Sequence, residues 1–344
     1  MKRIIGIFVI VLVLHGLILA SDPNARTLQN HQRIAERLAF YGVMTLGAGI
    51  LIISEGIDLS IGSVFALAAV GFGLMLKKQV PEVIAIGGVI MGTILIGVFH
   101  GLLVTRLRLQ PFVVTLCGLF IYRGLAYWLA LPDPMAPIQG LLRFLSFGLW
   151  FGETPIQQGS AGNVGIGQRS KELTDLIFLS TGYFHGIPVR LLILLGLAIL
   201  AIILMHFSVY GRYLYAIGSN EQAARYAGVA THRYKVLAYV ICAVMAGVAG
   251  MMQLLELQTV SPSNAGQWYE LYAITGAVLG GCSLRGGEGS VVGILLGTAV
   301  LPLLRNLINL SRIQDDLEFL VIGIALLLGT IVDELLKRRG AAQG

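Results

Sequence analysis

Three carboxylates stand where an apolar chain carries charge only at a cost: Asp58, Glu256 and Glu270 lie in or beside long hydrophobic stretches. Carboxylates at membrane depth are expensive and usually functional, as carriers of a coupling ion or as polar lining of a path. Asp58 and Ser60 belong to GIDLSIGS, Gly56–Ser63, set between two apolar stretches barely long enough for two crossings. Two structures satisfy that spacing. In one, a helix is broken within the membrane, Gly56 and Gly62 loosen its backbone, and its free N–H groups meet polar ligand atoms or a neighbouring helix. In the other, Asp58 only caps the following helix at the interface.

A second group follows late in the chain, in Asn264–Ser290, NAGQWYELYAITGAVLGGCSLRGGEGS. Trp268, Tyr269 and Tyr272 have the composition of an aromatic girdle at a membrane interface. Glu270 enters the apolar run just behind them and needs a partner or an aqueous path. Gln253 and Glu256, at the end of the preceding span, are placed to line the same cavity. The expected lining of a translocation path is therefore Asp58, Ser60, Gln253, Glu256, Asn264, Trp268 and Glu270. Gly280, Gly281, Gly286, Gly287 and Gly289 surround Arg285 and Glu288 in what reads as a tight polar turn with pairing charges.

The third group is AIGSNEQAARYAGV, Ala216–Val229, a polar helix pattern between two apolar segments. Ser219 followed by Gln222 reads as a capping box, Glu221 suits the positive first turn, and Gly228 is a natural stop. About two turns of helix are specified locally, on a connection (209–233) that also carries Arg212, Arg225, Arg233 and Lys235. A short capped helix held outside the bilayer suits docking into the groove of another subunit.

Other chemistries are missing from the sequence. It has no GxxxxGK[ST] loop, so ATP is not bound by a P-loop, and no HExxH, GxSxG or triad pattern. Cys117, Cys242 and Cys282 lie in apolar runs with neither metal spacing nor a disulfide pattern, and read as small buried hydrophobes. The histidines are scattered; His100 alone is deep in a span and reads as a packed residue.

The elements that must position these groups follow from composition. Of 344 residues, 56% are hydrophobic and 12% charged, about half the charge of a soluble domain, and the mean hydropathy is strongly positive. The bilayer is the solvent of such a chain. The positive balance lies in short connections without interleaved aromatics, which argues against nucleic acid and for connections on the cytoplasmic side. The expected fold is an all-α polytopic membrane protein, one permease domain over 1–344 with about ten transmembrane helices: 4–20, 38–54, 60–76, 83–104, 111–131, 189–208, 234–256, 269–284, 290–310 and 318–336. Residues 1–20 are taken as a retained first span rather than a signal peptide, because no soluble domain follows. Lys2-Arg3 and Lys337-Arg338-Arg339 put both termini in the cytoplasm, although Lys77, Lys78 and the arginines of 22–37 then face outward. Residues 132–188, broken by Pro132, Pro134, Pro137, Pro155 and Pro188, form an outer excursion whose apolar run 140–151 suits the membrane surface. GxxxG spacing at Gly88/Gly92, Gly97/Gly101, Gly276/Gly280 and Gly293/Gly297 marks close helix crossings.

With these segments laid out, the chain from about 38 to 336 resembles the inner-membrane permease subunits of bacterial ABC importers for simple sugars, the ribose, xylose, arabinose and galactose type. GIDLSIGS is similar to that family's early glycine-aspartate-leucine-serine signature. The family's cytoplasmic coupling loop is matched by Gly218, Asn220, Ala223, Ala224 and Gly228, beside Glu221, and its late glycine-rich signature by GAVLGGCSLRGGEGS. The resemblance implies a second permease chain, a periplasmic sugar-binding protein, and a cytoplasmic ATPase that holds ATP and magnesium; this chain itself needs no cofactor and performs no chemistry. Two departures stand out: the family usually has glycine where Glu55 stands, and the outer excursion is longer than usual. Competing readings are the branched-chain amino-acid branch of the same superfamily, an ion-coupled secondary transporter using Asp58, Glu256 or Glu270, and an intramembrane enzyme, for which no paired catalytic constellation exists.

Overall fold

The computed structural model describes residues 2–131, 162–166 and 171–311, with positions 320, 323, 324 and 327 beyond them. Helix α1 (Lys2–Ser21) turns through a 3-10 segment (Pro23–Arg26) into α2 (Leu28–Ile53), whose first turn is capped by the Thr27 hydroxyl accepting the Asn30 N–H at 3.3 Å. Then follow α3 (Ile61–Lys77), α4 (Glu82–Thr105) and α5 (Pro111–Leu129), with Pro111 at the first helical position, where its missing N–H costs nothing. Residues 132–188 include α6 (Lys171–Thr181), and after them come α7 (Val189–His206), α8 (Val209–Ser219), α9 (Glu221–Tyr226), α10 (Thr231–Leu257), α11 (Tyr269–Leu279) and α12 (Val291–Leu310).

Among the described residues seven helices are long and apolar enough to cross a membrane: α1, α2, α4, α5, α7, α10 and α12. α11 ends after 11 residues, short of the expected span 269–284. The expected last span, 318–336, lies outside the described residues except for a few helical positions. So do the apolar run 140–151 and most of the glycine-rich stretch 158–170. Of the excursion, β1 (Val164–Gly165) pairs antiparallel with β4 (Thr259–Val260), tying it to the connection that follows α10. The hairpin β2 (Tyr183–Phe184) and β3 (Ile187–Pro188) is pinned to α2: Tyr183 donates to Glu36 at 2.5 Å, and Gln32 to the Gly186 carbonyl at 2.8 Å.

α2 and α10 form the centre. From Ala39 to Ile53 every residue of α2 is buried, and α10 packs against α4, α3 and α2 through a face of Ala and Gly. Small residues do this work because apolar burial gives helices little mutual attraction in lipid, whereas close backbone approach gains dispersion contacts. A Cβ on Gly97 or Gly101 would strike the α10 backbone at Val240 or Val236, and Gly276/Gly280 interlock with Gly293/Gly297. The fourth expected pair does not work this way: Gly92 faces open space, and Gly88 meets only the flexible tip of Met75. α1 packs on α12 around Ile18, Ala25 and Leu303. The large exposed side chains of α4, α5 and α7, such as Met91, Leu95, Phe120 and Ile199, form the lipid-facing surface.

Candidate functional site

α10 serves as a ruler for depth. Phe65 of α3 meets Gly250, about three-quarters of the way along α10, and the two helices run in the same direction. At about 1.5 Å per residue, α3 therefore starts near the midpoint of α10. α11 starts at the same level, because the chain on either side is in contact: a Cβ on Gly62 would strike the Gly266 carbonyl oxygen and the Glu270 carboxylate. Two helix N-termini thus meet at half-depth, which is the broken-helix structure of the early motif. Arg123 of α5 holds the junction. Its guanidinium donates to the carbonyls of Pro262 (2.9 Å), Ala265 (2.5 Å) and Gly62 (3.4 Å), and it interacts electrostatically with buried Glu270.

Asp58 lies in the break itself, 2% exposed. Its Oδ1 accepts the Ser60 N–H at 2.7 Å and the Ser60 hydroxyl at 2.6 Å, a local turn that leads the chain into α3. Asp58 is not the cap of α3: the N-cap position is Ser60, with no side-chain capping bond. The other carboxylate oxygen faces His100 Nδ1 at 3.8 Å, and His100 Nε2 is hydrogen-bonded to the Tyr122 hydroxyl at 3.0 Å. His100 is thus the polar neighbour of Asp58 rather than only a packed residue. Thr115 of α5 leans on the same break, its hydroxyl 3.4 Å from the Ile57 carbonyl.

The three sequence motifs converge at the end of α2. The Ile53 carbonyl accepts the N–H of Gly287 at 2.9 Å. Gly218, in the last turn of α8, fits into this contact so closely that a Cβ there would strike both the Ile53 oxygen and the Gly287 nitrogen. Tyr215 of α8 donates to the Gly289 carbonyl at 2.8 Å. The late glycines shape the turn that allows this: Gly286 and Gly287 both have positive φ (78° and 73°), a conformation open to glycine at little cost. Gly280 and Gly281 end α11, and the Glu288 carbonyl accepts the Ser283 N–H at 3.1 Å to close the loop. Glu55 has φ 66°, so the position where the resemblance expects glycine is a left-handed one, and its Cβ stands 3.0 Å from where a Cβ on Gly286 would be.

α9 projects from this hub. Its cap is Asn220, not Ser219: the Asn220 side chain accepts the Ala223 N–H at 2.9 Å, while Ser219 is the last residue of α8. The stop is as expected. Gly228 has φ 84°, its N–H bonds the Arg225 carbonyl, and the Val229 N–H bonds Ala224, the paired bonds of a Schellman end. Glu221 is bridged to Lys235 of α10 at 2.5 Å and to Arg225 at 3.2 Å. Burial raises its pKa, but the Lys235 bond and charge, with Thr231 and Arg225, outweigh this and hold it below the ordinary carboxylate value. Ala224 is buried; Ala223 faces outward.

The other expected lining residues lie at the end of α10 and in its connection to α11. Glu256 pairs with Arg190 of α7 at 2.7 Å. Gln253 donates to the Tyr269 hydroxyl at 3.3 Å. Asn264 and Trp268 are exposed in the turns before α11. Tyr269 and Tyr272 do not form a girdle; they turn inward, Tyr269 edge-on to Phe40, Tyr41 and Phe65 and Tyr272 tilted against Tyr41, because α11 begins inside the bundle. Arg305 of α12 stacks on Tyr41 and Tyr272 and donates to both hydroxyls. Sequence reasoning missed Arg123, Arg190 and Arg305. Each is a lone arginine in or at the edge of an apolar span, which is signal enough that a buried partner exists.

An all-α bundle with two re-entrant breaks, closed at one end by a glycine hub bearing a short capped helix, is the architecture of a multi-pass membrane permease. A family model described as "Branched-chain amino acid transport system / permease component" matches residues 31–329, and the chain belongs to that family. It is 30% identical over 329 residues to the ribose import permease protein RbsC of Bacillus subtilis (96% of this chain, 91% of the relative). It is 29% identical over 323 residues to RbsC of Escherichia coli K12 (94% and 91%). It is 28% identical over 354 aligned positions to the xylose transport system permease protein XylH of Haemophilus influenzae (93% and 92%).

Proposed function

We propose that this chain is the translocating permease of an ATP-driven importer for a simple sugar of the ribose and xylose class, in the bacterial inner membrane. Near-full-length similarity to ribose and xylose permeases supports sugar over branched-chain amino acids as cargo. The observation that carries the coupling mechanism is the anchoring of α9. A two-turn helix with a side-chain cap at one end and a Schellman motif at the other is bolted through Gly218 to Ile53 and Gly287. A force applied to α9 therefore reaches the Asp58 break through α2 and the α11–α12 turn. ATP is hydrolysed on a separate cytoplasmic subunit that holds the nucleotide and magnesium and grips α9 in a groove. Both termini, α9 and the glycine hub face the cytoplasm; the excursion and its hairpin face a periplasmic sugar-binding protein. A second permease chain completes the path, and ATP-driven motion shifts the pair between two states through differential contacts on its two faces.

Reconstitution in proteoliposomes with the cognate ATPase and binding protein tests this. Uptake of labelled ribose or xylose that requires ATP is the expected result. Uptake that persists without ATP and collapses with an uncoupler would favour an ion-coupled carrier using Asp58 or Glu270, and leucine bound by the cognate binding protein would favour the amino-acid branch.

A further inference from the structure

The contact between Asp58 and His100 is unfinished. His100 is 1% exposed, and its Nδ1 has no hydrogen-bond partner. Asp58 Oδ2, which faces it, stands at 3.8 Å, beyond hydrogen-bond reach. When Tyr122 donates to Nε2, the imidazole proton sits on Nδ1 and points at Asp58. The ring is seated there by design of the backbone: a Cβ on Gly118 of α5 would come within 2.6 Å of His100 Nε2 and 3.0 Å of the Tyr122 ring. Tyr239 of α10 packs edge-on against the same imidazole, with ring centroids 6.3 Å apart, so α5 and α10 both confine the His100 ring. A buried polar group left unpaired is costly, so a conformation in which the gap shortens by about 1 Å gains a charge-assisted bond between α4 and the break.

We propose that His100 is a positioning residue of the transport cycle: its Nδ1–H closes on Asp58 in one end state and parts to 3.8 Å in the other, so that this bond sets how readily the α3 break moves against α4. The inference rests on the chain being an ATP-driven permease. A double-mutant cycle on the full importer in proteoliposomes tests it. His100→Gln keeps the volume but carries its N–H in the place of Nε2; it and Asp58→Asn each lower ATP-driven uptake about tenfold, with membrane abundance and ATPase co-purification retained. The double variant falls no further than the worse single. His100→Asn, whose amide N–H stands in for Nδ1–H, restores most of the uptake. Losses that multiply to about a hundredfold in the double variant overturn the latch, as does equal impairment by His100→Asn and His100→Gln. A wild-type importer without ATP-dependent uptake overturns the permease reading and the latch together, and is distinguished by appearing before any substitution is made.

Discussion

The Ile53 carbonyl and the Gly287 N–H, 234 residues apart in sequence, share a 2.9 Å hydrogen bond with Gly218 wedged beside it. That bond joins the end of the central helix, just before the Asp58 break, to the late glycine turn. Gly218 adds the helix that leads into α9. Motifs that look independent along the chain are therefore one mechanical unit.

Gly218→Ala is expected to open this unit. The new methyl has no room beside the Ile53 oxygen and the Gly287 nitrogen, and overpacking of this kind costs about 1–3 kcal/mol. Gly228→Ala is the control: nothing lies within 4 Å there, and only the left-handed backbone is penalised, by about 1–2 kcal/mol. Thermal unfolding in detergent and ATP-driven uptake should both fall for Gly218→Ala. For Gly228→Ala the unfolding midpoint should hold, and the loss should appear in the hydrogen-exchange protection of 221–228 and in the amount of ATPase co-purified.

The cap assignment separates two neighbouring residues. Asn220→Ala removes the bond to the Ala223 N–H and should weaken the helix by about 1 kcal/mol, whereas Asn220→Asp or Asn220→Ser should retain it. Ser219→Ala should leave α9 unchanged. Hydrogen exchange of the Ala223 amide and the amount of ATPase co-purified report the difference.

The Glu221 bridge gives a pH dependence of known sign. The carboxyl is held below its ordinary value of about 4.5, so its contribution is present above that pH and is lost as pH falls through its lower folded value. Attachment of α9 to α10, followed by exchange or by a fluorophore on Gln222, should be flat from neutral pH down to about 5 and weaken below 4.5. Glu221→Gln should reproduce the acid behaviour at neutral pH.

Glu55→Gly should be tolerated. A left-handed backbone costs a non-glycine residue about 1–2 kcal/mol, part of which glycine returns as unfolded-chain entropy. An unchanged or slightly raised unfolding midpoint, with normal uptake, is the expected result. A large loss would assign the Glu55 side chain a role that its exposed position does not suggest.

Much of the bundle was legible because each long span needs a continuous apolar run: α4, α5, α7, α10 and α12 were found within a few residues, whereas α2 begins ten residues before the expected 38–54 because its first turns are polar. Gly228 as the stop of α9 was legible because glycine is the residue least penalised at a left-handed helix end. The cap was misplaced by one residue because Ser219 and Asn220 are both good caps, and α8 continues to Ser219 through packing of Leu214 and Ile217 that local rules do not see. Tyr269 and Tyr272 read as an interface girdle because a span was assumed to begin at the membrane surface; α11 begins at half-depth, which turns the same rings inward. Long-range pairing, His100 with Asp58, Arg123 with the 262–265 carbonyls, and Glu256 with Arg190, depends on tertiary placement and left no periodicity to read.

The most direct test of the account is the accessibility of a single cysteine at Gln222, in a variant lacking Cys117, Cys242 and Cys282, in sealed vesicles of both orientations. The account predicts labelling by a membrane-impermeant thiol reagent in inverted vesicles only, and protection when the ATPase subunit is bound. Labelling from the periplasmic side, or labelling indifferent to the ATPase, would contradict it.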